Sequence, residues 1–139
     1  MIRFRVNLQP VAKGRPRFAS RGNFAVAYTD AKTREAETNF AAQAVKYRPE
    51  RPLEGPIKLN LVFASIRPKS KSKKIVHWTT RPDLDNFVKL VKDALNKIFW
   101  RDDSQIVELN ARKVYGDGWY TEVEIRELPN IENQEDSAK

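Results

Sequence analysis

Apolar and polar positions alternate at the start of the chain, where Ile2, Phe4, Val6 and Leu8 are interleaved with Arg3, Arg5 and Asn7. A period of two marks a strand with one buried face, and Pro10 ends it. Residues 11–23 carry Lys13, Arg15, Arg17 and Arg21 among Gly14, Pro16 and Gly22 and read as a basic loop, with a short strand expected through Phe24 to Tyr28. Thr29 or Asp30 caps a predicted helix that runs to about Tyr47 and is ended by Pro49 and Pro52. Ile57 to Ile66, bounded by Gly55-Pro56 and Arg67-Pro68, predicts a well-buried strand. From Leu84 onward Val88, Val91, Leu95 and Ile98 recur at helical spacing over about four turns. Gln105 to Tyr115 and Trp119 to Leu128 alternate again, and Gly116-Asp117-Gly118 between them predicts a hairpin. The order strand, helix, strand, helix, strand, strand describes a single α/β domain with a small mixed sheet, or an α+β one if the closing hairpin dominates. Its expected span is 1–129. Residues 130–139 hold Glu132, Glu135 and Asp136 without an apolar pattern and are expected to form a disordered acidic tail.

Charge narrows the choice of partner. Against 18 acidic residues stand 26 Lys and Arg, a net charge of +8, so a polyanion is the first candidate. The basic runs supply Lys13, Arg15, Arg17, Arg21, Lys69, Lys71, Lys73 and Lys74 as candidate contacts to a DNA backbone. The chain has no cysteine, which excludes disulfides and thiolate metal sites, so any metal falls to carboxylates, to His77 or to backbone oxygen. His77, the one histidine, reads first as a surface or packing residue. Neither a signal peptide nor a bilayer-spanning run is visible, and a soluble cytoplasmic protein with no membrane partner and no small-molecule cofactor is expected.

Two acidic points carry candidate chemistry. Asp83 and Asp85, in Arg81-Pro82-Asp83-Leu84-Asp85-Asn86, stand where an extended segment becomes a helix. Acids there commonly cap free amides and interact with the helix dipole. They also suit magnesium, which prefers hard oxygen ligands and often takes only one or two carboxylates. Lys89, one turn after Asp85, either pairs with it on a solvated face or stabilises charge on a phosphate. The second point is Asp102-Asp103-Ser104, after the helix, where adjacent acids ordinarily form a solvated turn. Phe99 and Trp100 before it either stack on an unpaired base or anchor the helix end in the core.

Arg81-Pro82-Asp83-Leu84-Asp85-Asn86-Phe87, Lys89, Asp93-Ala94-Leu95, Phe99-Trp100 and Asp102-Asp103-Ser104-Gln105-Ile106-Val107 together resemble the signature of the RusA family of Holliday-junction resolvases. Lys13-Gly14-Arg15-Pro16-Arg17 is similar to the basic loop of its phage-encoded members. The resemblance implies a homodimeric endonuclease that binds four-way junctions and other branched DNA by shape and makes paired nicks. It implies Asp83, Asp85 and Asp103 as magnesium ligands and Lys89 as the important lysine; manganese shares magnesium's oxygen preference and could substitute. Many relatives carry Asn-Gly near the end of the helix where this chain has Asn96-Lys97. The readings that compete with a nuclease are a non-catalytic branched-DNA-binding module and an RNA-binding protein, the latter without a recognisable RNA motif.

Helix arithmetic sets a further expectation. A continuous helix from Asp85 to Phe99 rises roughly 20 Å, and four more residues reach back at most about 14 Å, whereas oxygens around one magnesium lie about 3–4 Å apart. Either Asp103 of one subunit meets Asp83 and Asp85 of another, or the helix stops near Asn96 and the chain folds back within one subunit.

Overall fold

The computed structural model describes residues 1–14, 17–22 and 24–131, with the backbone only for Arg17 and Arg21. The expectations for Arg15, for the Arg17 and Arg21 side chains and for residues 132–139 lie outside the described residues.

In chain order the elements are β1 (Ile2–Val6), β2 (Arg17–Arg21), β3 (Phe24–Tyr28), α1 (Ala31–Ala44) with a 3-10 turn at Val45–Tyr47, β4 (Ile57–Ile66), α2 (Leu84–Leu95), a 3-10 turn at Asp103–Gln105, β5 (Ile106–Gly116) and β6 (Tyr120–Glu127). The expected order of strands and helices is present, with β2 added inside the basic loop. Asp30 caps α1 by accepting the Thr33 amide at 2.8 Å.

The main sheet is mixed, in the order β1-β6-β4-β5. β4 lies parallel to β5 and antiparallel to β6, and β1 lies antiparallel to β6. The expected hairpin between the last two strands is therefore absent, because β4 sits between them. Its side chains at Ile57, Leu59, Leu61 and Phe63 are almost wholly buried, and an interior strand needs hydrogen-bond partners along both edges. The short glycine-bounded connection carries the chain across the end of β4 instead of folding β6 onto β5. A parallel pair needs a crossover, and the segment holding α2 provides it.

Both helices pack on one face of this sheet, around Phe4, Val6, Phe40, Leu61, Phe63, Phe87, Val91 and Val123. α2 turns Phe87, Val88, Leu90, Val91, Ala94 and Leu95 inward and leaves Asp85 and Lys89 exposed. It ends a turn earlier than its apolar spacing predicts. Lys97 takes a left-handed conformation with φ 72°, and the amides of Ile98 and Phe99 return to the Leu95 carbonyl at 3.1 and 3.0 Å. Phe99 and Trp100 are then fully buried, each worth roughly 1.5–3 kcal/mol over exposure. Neither is available to stack on a base. No helix among the described residues is long and apolar enough to cross a membrane.

Candidate active site

Three aspartates occupy N-cap positions. Asp30 caps α1 and Asp102 caps the 3-10 turn, accepting the Ser104 amide at 2.9 Å. Asp83 has the extended backbone of an N-cap, φ −69° and ψ 143°, but its carboxylate makes no capping hydrogen bond. A cap usually contributes about 1 kcal/mol, so this helix start forgoes local stability and leaves an exposed carboxylate at the positive end of the dipole. Asp85 is exposed in the first turn beside it. Lys89 is exposed a turn further on and forms no ion pair among the described residues, so the simple Asp85–Lys89 pair is not formed.

Contacts on two sides hold this helix start in place. Lys113 on β5 reaches across and donates to the carbonyls of Thr80 and Pro82 at 2.5 and 2.6 Å, with its ammonium 4.7 Å from the centre of the Trp78 ring. Burial lowers its pKa, and the nearby Asp83 charge offsets part of that effect. The Trp78 indole donates to the Thr80 hydroxyl at 2.9 Å, and the Arg81–Pro82 peptide is cis. On the other side the Lys13 amide donates to the Asn86 carbonyl at 3.0 Å, which ties the root of the basic loop to α2.

Lys113 and Trp78 escaped the sequence reading. Lys113 looks like an ordinary polar position on an alternating strand. Its contact with Pro82, 31 residues earlier, has no local signature.

The structure corrects the expectation for Lys13. Its ammonium is three-quarters or more covered and binds Asp93 on α2 and Glu37 on α1, the latter at 3.2 Å. Burial opposes this charge, yet the hydrogen bonds to Asp93 and Glu37 outweigh it and raise the pKa. Lys13 ties two helices together instead of presenting a free cation to phosphate. Lys69, Lys71, Lys73 and Lys74 differ, since none forms an ion pair among the described residues. Their loop folds around Arg67, whose guanidinium donates to the carbonyls of Ser72, at 2.6 Å, and Ile75. His77 is exposed and pairs its backbone with Val114 on β5.

Asp103 lies at the far end of α2. One of its oxygens accepts the Trp100 indole N–H at 2.7 Å, which fixes the carboxylate against the buried ring. Asp102 next to it is held by Ser104, and these hydrogen bonds lower its pKa. Asp83 adjoins Lys113, whereas Asp103 lies just before Ile106, and β5 rises roughly 23 Å between those two residues. No group of three His, Cys, Asp or Glu residues able to hold a metal is formed among the described residues. The helix does stop at Leu95, but the following chain bridges Asn96 to Trp100 and pairs Leu53 with Trp100 instead of folding back. One chain thus brings Asp83 together with Asp85 and leaves Asp103 apart.

The chain is 38% identical over 137 residues to the uncharacterized protein YqaN of Bacillus subtilis (strain 168), covering 91% of this chain and 96% of that one. It is 35% identical over 99 residues to the crossover junction endodeoxyribonuclease rusA of Lactococcus phage r1t, covering 68% and 76%. The family model for endodeoxyribonuclease RusA matches residues 7–126. This match over most of the chain leads to one conclusion: the protein belongs to the RusA endodeoxyribonuclease family.

Proposed function

We propose that the protein is a magnesium-dependent endonuclease that acts as a homodimer and resolves four-way (Holliday) junctions and related branched DNA by paired nicks. The observation that carries this reading is the Asp83 carboxylate, placed to cap a helix and withheld from capping, with Asp85 exposed beside it. The donor set fits the ion. Two aspartates provide hard oxygen, the chain has no thiolate, and magnesium commonly takes one or two carboxylates while keeping waters and phosphate. Asp83 and Asp85 of one subunit would hold it with Asp103 of the other, and manganese shares the same oxygen preference. The chemistry such an ion supplies when bound is Lewis-acid activation of a phosphate and of the attacking water.

The chain's own groups do the positioning. Lys89, without an ion pair among the described residues and one turn from Asp85, stabilises charge that develops on the phosphate. Lys69, Lys71, Lys73 and Lys74 hold the DNA backbone, as do Arg15, Arg17 and Arg21, which contributes affinity that falls with salt and carries little sequence information. A cysteine-free chain suits the reducing cytoplasm, where such DNA lies.

The test is nicking of a labelled four-way junction, a matching duplex and a structured RNA, each with magnesium and with chelator. Junction-selective nicking that needs the metal is expected. Asp83→Asn, Asp85→Asn and Asp103→Asn should each lower the rate on the order of a hundredfold or more while junction binding persists or tightens. Lys89→Ala should lose turnover far more than affinity, since a contact strengthened in the transition state acts on rate. Binding without metal-dependent nicking would leave the non-catalytic module.

A further inference from the structure

β2 and β3 form a two-stranded hairpin separate from the main sheet. Its register sets Arg17 opposite Tyr28, Ala19 opposite Val26 and Arg21 opposite Phe24. Every residue of β3 is exposed, and none of the hairpin's described side chains belongs to the core. Exposure reaches 75% at Phe24, 70% at Phe18, 43% at Tyr28 and 41% at Val26. Because partners across a ladder share a face, Phe24, Val26 and Tyr28 line one side of the arm and Phe18 the other. An isolated hairpin is only marginally stable in water, and a cluster of exposed rings on one marks a surface that another molecule covers.

The charge of the segment says which molecule. Residues 11–29 contain four basic residues and no acid. Two such arms repel each other, whereas cations interleaved with exposed rings suit nucleotides whose bases are out of the stack, because every base offers a flat face to an aromatic side chain. The arm is also rooted at the acids. Lys13 donates to the Asn86 carbonyl, one residue from Asp85, and Gly14 donates to the Thr33 hydroxyl at 3.1 Å, where α1 begins. Each five-residue strand of the arm is about 17 Å long.

We infer that the β2–β3 arm, through Phe24 and Tyr28, stacks on unpaired or unstacked bases at the branch point of DNA bound at Asp83 and Asp85. This rests on the proposed reading of the protein as a junction nuclease, and it adds to it a contact that separates branched from linear DNA.

The experiment uses the full chain in chelator, with a four-way junction carrying 2-aminopurine at the crossover and a linear duplex of the same sequence. Wild type should raise the 2-aminopurine emission as the base leaves its stack. Phe24→Ala with Tyr28→Ala should lose most of that rise and bind the junction roughly tenfold more weakly, with duplex affinity and melting temperature close to wild type. Phe24→Trp with Tyr28→Phe, which keeps the flat rings, should restore both. A double-alanine variant that keeps the emission rise, or that weakens junction and duplex equally, overturns the inference. So does one that dissociates a dimer in sedimentation, since the face would then be an interface between copies. Wild type that neither prefers junctions nor nicks them with magnesium removes the underlying reading. Wild type that does both beside an unaffected variant removes the arm's role alone.

Discussion

Among the N-cap aspartates Asp30, Asp83 and Asp102, residue type and position are alike, and only the use of the carboxylate differs. That difference separates a structural acid from one free to bind a ligand. Another residue carries a cost of its own. Lys97 holds a left-handed backbone at φ 72°, where the Cβ of an L-residue crowds the following carbonyl. Its ammonium donates to the Arg101 carbonyl at 2.7 Å, an exposed contact that offsets little of the strain. Lys97→Gly should therefore raise stability by about 0.5–1 kcal/mol, read as a higher urea midpoint with an unchanged slope. A lower midpoint would mean that the ammonium contact outweighs the backbone strain. The acids and the lysine of α2 were legible in the sequence, since each is a matter of residue type at a local position. The Trp100 contact that orients Asp103 was not, because it depends on the indole being buried.

At the scale of elements, β1, α1, β4 and α2 were visible as periodic runs between caps and prolines, and α1 and β4 start where the sequence places them. Pairing was not visible. Gly116-Asp117-Gly118 marks a turn, but a turn does not say whether a third strand lies between its arms. The basic loop shows the same limit: four cations in one run look equivalent, and nothing in the run marks Lys13 as drawn between α1 and α2 by Glu37 and Asp93. Lys13→Met keeps the apolar stem and removes that tie, and it should cost roughly 1–3 kcal/mol, between the values of surface and buried pairs. The sign of its pH dependence follows from a raised folded pKa: the contribution is complete below the ordinary lysine value of 10.5 and disappears as pH rises through the higher folded value. Urea midpoints of wild type and variant should differ by a constant amount from neutral pH to about pH 10 and converge above it. Equal midpoints at neutral pH would show that the helices need no such tie.

The whole molecule raises the question of where the third acid acts. With Asp83 and Asp103 at opposite ends of α2, on the order of 20 Å apart, a site shared across the proposed two-fold dimer would supply all three acids and yield two such sites for a symmetric junction. Mixing Asp83→Asn with Asp103→Asn subunits checks this, since each mixed dimer would then hold one intact site and one doubly altered one. Single-strand nicking should recover to a substantial fraction of wild type while paired nicking stays low. No recovery after verified subunit exchange would mean that each site is completed within its own subunit.

By itself the sequence determined what local physics decides: the periods of strand and helix, the caps and breakers between them, the acids at the start of α2 and the charge that favours DNA. Tertiary structure decided what depends on neighbours far along the chain. It set β4 between β5 and β6, buried Phe99 and Trp100, brought Lys113 to the carbonyls ahead of Asp83 and left the rings of the β2–β3 arm outside the core. The reason is that desolvation and hydrogen-bond satisfaction belong to pairs of groups. A lysine is a phosphate contact, an internal tie or a clamp on a loop according to what the fold places within about 3 Å of its nitrogen, and that distance is set by the packing of the whole sheet and both helices.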